Sequence, residues 1–390
     1  MFVSLKQKEF QQTLSISNQI SLKRSDVDAF CECKIEISKD EVRISCISPA
    51  LYYSTKLKPV SVDGDEKNLA FLVKTDILAS TISLISDEIV SLDINIAKST
   101  LVVQGSTSKH TLRITTKDIT HFDIPKTSDE NLKASVRVVA SDVFELNKIA
   151  NVAVALPKNV YTPEFLSICY SLKPDQKKLF IVSTDRYRIV RSAMVASYEN
   201  VKEELLNTNT NYLLNPKSLM LLSGCVEPTE SIEFRFEQDY AFVQFAESQL
   251  VMRYGDGKYP DYEKIIPETF TCSYLVNTKE IINAVRQVYL FAKSNAVNKS
   301  INILLNPEES KMFLSAKTPD GYASESSVSI ENYEGVATEW NQSFNADYLL
   351  DYLAMVQTDK ILWEANPGKP SVLSPEGQKA SKLYLVSGLK

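Results

Sequence analysis

A recurring order of elements constrains this chain more than any single motif. A strand-like run, an amphipathic helix, a group of β-rich runs, a second helix and closing strands occur three times in succession. The opening strands place Val3, Val136 and Leu275 in equivalent positions, and the second helices begin at Lys74, Asn215 and Asn345. Each step is about 130 to 141 residues along the sequence. Side-chain identity between the copies is slight, so the repeat lies in periodicity rather than in residues. At roughly 150 residues per domain, 390 residues exceed one core. The expectation is three units, spanning 1–130, 131–268 and 269–390.

In the first unit a short strand, Phe2–Leu5, precedes a helical pattern with Phe10, Leu14, Ile16 and Ile20 on one stripe. A hairpin over Cys33–Ile37 and Val42–Ile47, strands at Tyr52–Leu57 and Phe71–Val73, and a polar loop over Ser61–Lys67 follow. The second helix runs from Lys74 to Ile85 with Ile77, Leu78, Ile82 and Ile85 apolar, and strands Ile89–Ile96, Thr100–Gln104 and His110–Thr115 close the unit. In the second unit Ser141 is the predicted N-cap of a helix over Asp142–Ala155, with Phe144, Ile149 and Val152 inward. Strands are expected at Phe165–Leu172 and Leu179–Ser183, and a helix begins at Pro216 behind Asn215. In the third, Asn277 or Thr278 caps a helix to about Lys293, and Phe344 leads into a helix over Asn345–Met355.

Each unit thus offers two amphipathic helices and about eight strands. This is an α+β class in which two helices pack on antiparallel sheets. Three such units can continue sheet to sheet, and a second copy of the chain can close a ring with no strand edge left free. The helices carry Lys6, Lys8, Lys74, Lys148, Lys217, Lys279, Arg286 and Lys293 against fewer acids, a weakly basic surface in a chain of net charge −6. Such a surface suits screened, sequence-independent attraction to duplex phosphates, although solvated helix faces explain the same charges.

Ten glycines in 390 residues leave little room for glycine-rich phosphate loops. The six cysteines are scattered through apolar strand-like runs, which reads as free thiols in a reducing compartment rather than a metal clamp. No apolar run approaches the ~20 residues of a membrane span, and the start of the sequence shows no secretory leader; a cytoplasmic protein is expected. His110 and His121 are the only histidines and have no partner at metal or catalytic spacing. Asp185, Asp261 and Asp351 fit turn and cap roles, so catalysis is not expected.

One stretch stands apart. Leu179–Val182 is apolar, Ser183-Thr-Asp185 turns, and the returning strand carries Arg186, Arg188 and Arg191 with Tyr187 and Ile189 alternating. Its counterparts, Ser48-Pro-Ala-Leu51 and Lys317-Thr-Pro-Asp320, lack the paired arginines. Only this copy of the hairpin is built to hold something.

Four motifs, in order, resemble a known family. Ser183-Thr-Asp-Arg-Tyr-Arg-Ile189 is similar to the A-T-D-G-H-R-L hairpin of the bacterial DNA polymerase III beta subunit, the sliding clamp. Tyr259-Pro-Asp-Tyr-Glu-Lys-Ile-Ile-Pro267 is similar to F-P-D-Y-R-R-V-L-P, and Phe344-Asn-Ala-Asp-Tyr-Leu-Leu-Asp351 to F-N-V-S-Y-V-L-D. Tyr384-Leu-Val-Ser-Gly-Leu-Lys390 takes the place of Y-V-V-M-P-M-R-L.

The resemblance implies a head-to-tail homodimer of three-domain protomers. The ring encircles duplex DNA without sequence preference and tethers the replicative polymerase, with no active site and no cofactor. Polymerase, clamp loader and other partners would insert a short peptide, glutamine followed by apolar residues, into one pocket. By position the resemblance assigns to that pocket Thr184, Arg186, Tyr187, Arg188 and Ile189 on the hairpin. It adds Pro260, Lys264 and Ile265 from the interdomain segment, Asn345 and Tyr348 from the last helix, and Leu385, Val386, Ser387, Gly388 and Leu389 from the tail. Lys23, Arg24, Lys74, Lys148, Lys217 and Arg286 are the expected DNA-facing residues. The ring seam is expected between Leu101 and Val103 on one side and Leu290 and Phe291 on the other. The family's glycine is here Arg186 and its histidine Tyr187, so peptide preference should differ. The competing class is a non-enzymatic β-rich scaffold that does not encircle DNA.

Overall fold

A computed structural model of the chain describes residues 1–22, 25, 27–64, 68–157, 162–206, 210–294, 298–332 and 339–389. Strand β1 (Phe2–Lys6) leads into helix α1 (Gln7–Ile20), whose Phe10, Leu14, Ile16 and Ile20 are all buried as the stripe required. The β-rich part that follows is β2 (Glu32–Ser38), β3 (Val42–Ser48), β4 (Leu51–Leu57), β5 (Ser61–Asp63) and β6 (Asn68–Lys74). Helix α2 (Thr75–Ser83) precedes the meander β7 (Ile89–Asn95), β8 (Thr100–Gln104) and β9 (Lys109–Thr115).

The order begins again with β10 (Ala134–Val139) and α3 (Ala140–Asn151), then β11 (Ile168–Lys173), β12 (Lys178–Thr184), β13 (Arg188–Val195) and β14 (Ser197–Glu199). A short α4 (Glu203–Leu206), β15 (Thr210–Leu214) and α5 (Pro216–Leu221) come before the meander β16 (Ser231–Phe236), β17 (Tyr240–Phe245) and β18 (Ser248–Arg253). The third pass is β19 (Cys272–Asn277), α6 (Thr278–Ala292), β20 (Ser300–Asn306), β21 (Lys311–Lys317), β22 (Ala323–Asn332), β23 (Trp340–Asn345) and α7 (Ala346–Leu353). It closes on β24 (Lys360–Ala365), β25 (Ser371–Pro375) and β26 (Lys382–Val386).

The described chain forms two compact units. The first comprises Met1–Phe144, Ser197–Asn207 and Lys217–Tyr254, and the second Glu145–Ala196, Thr208–Pro216 and Gly255–Lys390. The first holds a run of 14 hydrogen-bonded strands, ordered β14-β10-β16-β17-β18-β4-β3-β2-β6-β9-β8-β7-β1-β5. The second holds 12, ordered β15-β11-β12-β13-β26-β25-β24-β19-β22-β21-β20-β23. Every pairing is antiparallel, and the α+β class is the one expected. Sheet continues from one repeat to the next within each unit: β18 adds to β4, Ser248–Met252 against Leu51–Thr55, and β26 adds to β13, Lys382–Val386 against Arg188–Ser192.

Helices α1, α2, α3, α6 and α7 start where strands stop, with no intervening loop. Asn277 ends β19 and its side chain accepts from Lys279 N and Glu280 N at 3.0 and 3.1 Å, which satisfies two of the helix's orphan donors. Helix α6 then buries Ile281, Ala284, Val285, Val288 and Ala292 on one stripe. The neighbouring core is aromatic: Phe344 stacks edge-on to Trp363 at 5.9 Å and tilts against Trp340 at 5.7 Å.

Several expectations are corrected. Helix α3 begins at Ala140, directly on β10, so Ser141 lies inside the first turn and is not the N-cap. Its buried face is Val143, Leu146, Asn147, Ile149 and Ala150, while Phe144 is half-buried and Val152, also half-buried, lies past the helix end at Asn151. Ile77 on α2 is 50% exposed. Residues 163–166 form a 3-10 turn, and β11 starts only at Ile168. Part of the polar 61–67 stretch is a short edge strand, β5, on β1. In the hairpin the returning strand begins at Arg188; Arg186 and Tyr187 belong to the turn.

Candidate functional site

The hairpin β12–β13 turns on an aspartate. Asp185 Oδ1 accepts from the backbone N–H of Tyr187 and of Arg188, both at 3.0 Å, the way short acidic side chains nucleate turns. Thr184 is buried; its Oγ1 donates to Arg188 O at 2.7 Å and accepts from Arg186 N at 3.2 Å. These bonds fix Arg186 in the left-handed region at φ 80°.

Arg188 is the centre of the site. Its Nε donates to Asp185 Oδ2 at 2.8 Å and its NH1 to Asp351 Oδ2 at 2.8 Å, while the guanidinium lies 4.3 Å over the Tyr348 ring. Burial alone would lower the guanidinium pKa; Tyr384, Asp351 and Asp185 outweigh it, so the pKa is raised and the group stays charged. Tyr348 stacks on its other neighbour, Tyr187, at 6.3 Å. Burial raises the Tyr348 phenol, with Asp185 adding to the shift, so it remains a neutral donor at physiological pH. Tyr384 OH donates to Tyr348 O at 2.6 Å and its ring stacks on Tyr352 at 4.3 Å, which anchors α7 against β26.

The tail completes this surface. Ile189 pairs with Leu385 and Arg188 with Val386, and all four are buried. Ser387 N donates to Tyr187 O at 2.8 Å, and Leu389 N to Ser343 O at 2.7 Å. A Cβ on Gly388 would meet the Gln342 side chain, which would have to shift. An open groove of about 600 Å³ runs beside Ser387, Gly388 and Leu389, bordered by Ser343, Lys369 and Pro370.

Beneath the hairpin, Tyr259 and Tyr262 join Cys169, Phe180, Val182, Ile189 and Leu385 in one apolar cluster, with Ile266 packed against it. The segment therefore presents Pro260, an exposed Lys264 paired with Asp261 at 2.8 Å, and Ile265, which is 49% exposed. Asn345 caps α7, its Oδ1 accepting from Asp347 N at 2.9 Å.

All fifteen residues expected at the pocket lie in the second unit, on the hairpin, the 260–265 segment, the start of α7 and the tail. Sequence reasoning missed three partners. Asp351 is not a cap but a counter-ion of Arg188, and Thr162 and Phe165 hold Arg186: its NH2 donates to Thr162 Oγ1 at 3.1 Å and its guanidinium sits 5.2 Å over the Phe165 ring. Asp351 follows Tyr348 by one helical turn, a spacing that could have pointed to it.

The other expected residues fare differently. Lys148 on α3, Lys217 on α5 and Arg286 on α6 are exposed. Lys74 is held between Asp28 and Glu32 at 3.0 and 3.5 Å, while Lys23 and Arg24 lie outside the described residues. Leu290 is 60% exposed and Phe291 half-buried. Leu101 and Val103 are fully buried core residues of β8, which is hydrogen-bonded to β7 and β9 on both sides and has no edge to offer. The adjacent strand with an open edge is β9: among the described residues only Ile114 and Thr115 pair with β6, leaving residues 109–113 without a strand partner on that side.

The fold is that of solved DNA polymerase III beta subunits. The crystal structure of the DNA polymerase III subunit beta from Pseudomonas aeruginosa superposes with a TM-score of 0.85 over 100% of both chains at 14% identity. The Helicobacter pylori beta clamp, solved bound to a DNA ligase peptide, gives 0.81 over 100% of both chains at 18% identity. More particularly, residues 263–386 match the family described as DNA polymerase III beta subunit, C-terminal domain. The beta sliding clamp of Staphylococcus aureus is 22% identical over 257 residues, 65% of this chain and 63% of that protein. The matched region thus spans less than two-thirds of the length of these curated relatives. The resemblance first drawn from four motifs holds across sequence family, named relatives and fold.

Proposed function

We propose that the chain is a sliding clamp. Two copies close head to tail into a ring around duplex DNA and tether the replicative polymerase, the clamp loader and other proteins through a short peptide docked on the hairpin site. It has no catalytic site of its own and works in the cytoplasm. The three repeats, 1–130, 131–268 and 269–390, are its domains.

One observation carries this reading. The repeated plan pairs the last strand of one meander with the third strand of a hairpin set, and does so twice inside the chain: β18 with β4, and β26 with β13. The remaining halves of the third pairing are β9 and β22. Among the described residues, 323–329 of β22 have no strand partner on the side away from β21, just as residues 109–113 of β9 are open. An edge pair left over from an internal repeat is satisfied by a second copy, and a heterologous contact that closes leaves no edge exposed. The seam moves accordingly from Leu101 and Val103 to β9 and β22. Exposed Leu290, with Phe291 beside it, would enter the partner's groove of about 440 Å³ bordered by Leu72, Val73, Ile77, Leu112 and Ile114.

Lys23, Arg24, Lys148, Lys217 and Arg286 supply the screened attraction to phosphates, with Lys74 contributing less because two carboxylates already hold it. Ile265 and Leu389 give the peptide site its apolar surface, backed by the buried Ile189 and Leu385, and Arg188, Asn345 and Tyr348 form its polar edge. The departures at Arg186 and Tyr187 change one side of that site. Small-angle scattering tests the assembly: a dimer with the profile of a hollow ring is expected, and an elongated monomer at micromolar concentration would overturn it.

A further inference from the structure

Two of the hairpin's arginines have hydrogen-bond partners, and Arg191 does not. Arg188 binds Asp185 and Asp351, and Arg186 donates to Thr162 Oγ1. Arg191 lies further along β13, opposite Val182 on one side and Leu383 on the other, and is partly buried. Its guanidinium lies 5.4 Å over the Phe180 ring. Among the described residues it donates no hydrogen bond and has no carboxylate within 4.0 Å. The acid that acts on it, Glu263, pairs instead with Lys173 Nζ at 3.2 Å. Burial draws the guanidinium pKa down, and Tyr262 and Glu263 do not offset it. The group stays charged, so the fold holds a half-buried cation without a counter-ion in contact.

Two hydroxyls at the same place also lack partners. Ser171 is 1% exposed and Tyr262 4%, and among the described residues neither Ser171 Oγ nor Tyr262 OH has a hydrogen-bond partner. Ser171 stands directly across β11 and β12 from Phe180, the ring beneath Arg191, and its hydroxyl faces that of Tyr262. Burial holds the Tyr262 phenol above its ordinary range, so it is a neutral donor. Buried polar groups are as a rule hydrogen-bonded, and here three donors, one of them charged, converge with their bonds unspent.

We propose that Arg191, Tyr262 and Ser171 form a binding site for a small oxyanion of the phosphate or sulfate kind. The inference is independent of the clamp reading and of the peptide site. A guanidinium supplies two parallel N–H donors and each hydroxyl one more, which matches the several acceptor oxygens of a tetrahedral anion. Lys173 and Arg191 outnumber Glu263, so the local charge has the right sign. The Phe180 face fixes the guanidinium plane, so little freedom is lost on binding. The anion ties Tyr262, at the start of the 262–265 turn, to β11 and β13, and so strengthens the packing of that segment on the sheet.

The test titrates the full chain with inorganic phosphate by calorimetry, with chloride holding the ionic strength constant. One saturable site per chain is expected, with a dissociation constant of about 1 mM. R191M should weaken it about tenfold or more, and Y262F about fivefold. Thermal midpoints give a second readout: phosphate should raise that of the unaltered chain above its value in chloride and leave that of R191M where it was. No saturable binding at about 20 mM phosphate, or undiminished binding by R191M, would overturn the inference. If R191M does not fold, Y262F decides, and unchanged affinity in it overturns the site.

Discussion

Replacing Leu290 by Asp should break the assembly and spare the protomer. Leu290 is 60% exposed on α6, and full burial of a leucine contributes ~1.5–3 kcal/mol, so covering it at a seam contributes ~1–2 kcal/mol. L290D loses that term and sets a carboxylate against a groove bordered by Leu112, Ile114 and Ile77, a further ~1–3 kcal/mol where some water still reaches it. Each seam is then weaker by ~2–5 kcal/mol, and separating two copies of a closed ring breaks two seams. At ~1.4 kcal/mol per tenfold, the dimer dissociation constant rises by about a thousandfold or more. Sedimentation velocity at micromolar protein should show the unaltered chain as a dimer and L290D as a monomer. The thermal midpoint of the monomer should stay within a few degrees, since the residue touches solvent rather than core. An L290D protein that sediments as the same dimer would refute the placement of the seam.

Substituting Tyr348 by Ala removes the ring that stacks on Tyr187 and lies under Arg188; peptide affinity measured by calorimetry should fall about 10- to 100-fold with the dimer intact. Asn277→Ala removes the cap of α6 and should cost ~1 kcal/mol in urea unfolding, with no effect on peptide affinity. In native protein at pH 8 a thiol reagent should modify Cys225 slowly and the other five cysteines hardly at all. Those five are buried, and burial pushes the half-buried Cys225 thiol up to about 12, so little thiolate exists; rapid modification of several thiols would contradict the packing.

Much of the fold was legible because local chemistry and global packing agree. Helix α6 has its cap, its stripe and its length in the sequence, and β20 alternates buried and half-buried residues along Ser300–Asn306. The strands that escaped notice are polar or short. β22 reads Ala-Ser-Glu-Ser-Ser-Val-Ser-Ile-Glu-Asn, with an apolar face confined to Val328 and Ile330, because an open edge needs little burial. The start of helix α3 was misplaced by one feature, Ser141, whose capping propensity lost to a strand that runs straight into the helix. The site was legible as motifs but not as a circuit. Arg188 and Asp351 are 163 positions apart and Arg186 and Thr162 are 24, so neither pairing shows locally beyond the one-turn spacing of Asp351 from Tyr348. Burial of Leu101 and Val103 was equally hidden: an apolar strand reads the same whether it lies at an edge or between two neighbours.

As a closed ring, the proposed clamp would hold DNA by topology rather than by affinity. The most direct measurement loads the protein onto a nicked circular duplex with a bacterial clamp loader, isolates the complex by gel filtration at 0.2 M salt, and then linearises the DNA with a single-cutting endonuclease. A ring should remain on the circle and be lost from the linear form through its ends, with retention restored when both ends are blocked by bound protein. Equal retention on circular and linear DNA, or equal loss from both, would contradict the encircling clamp.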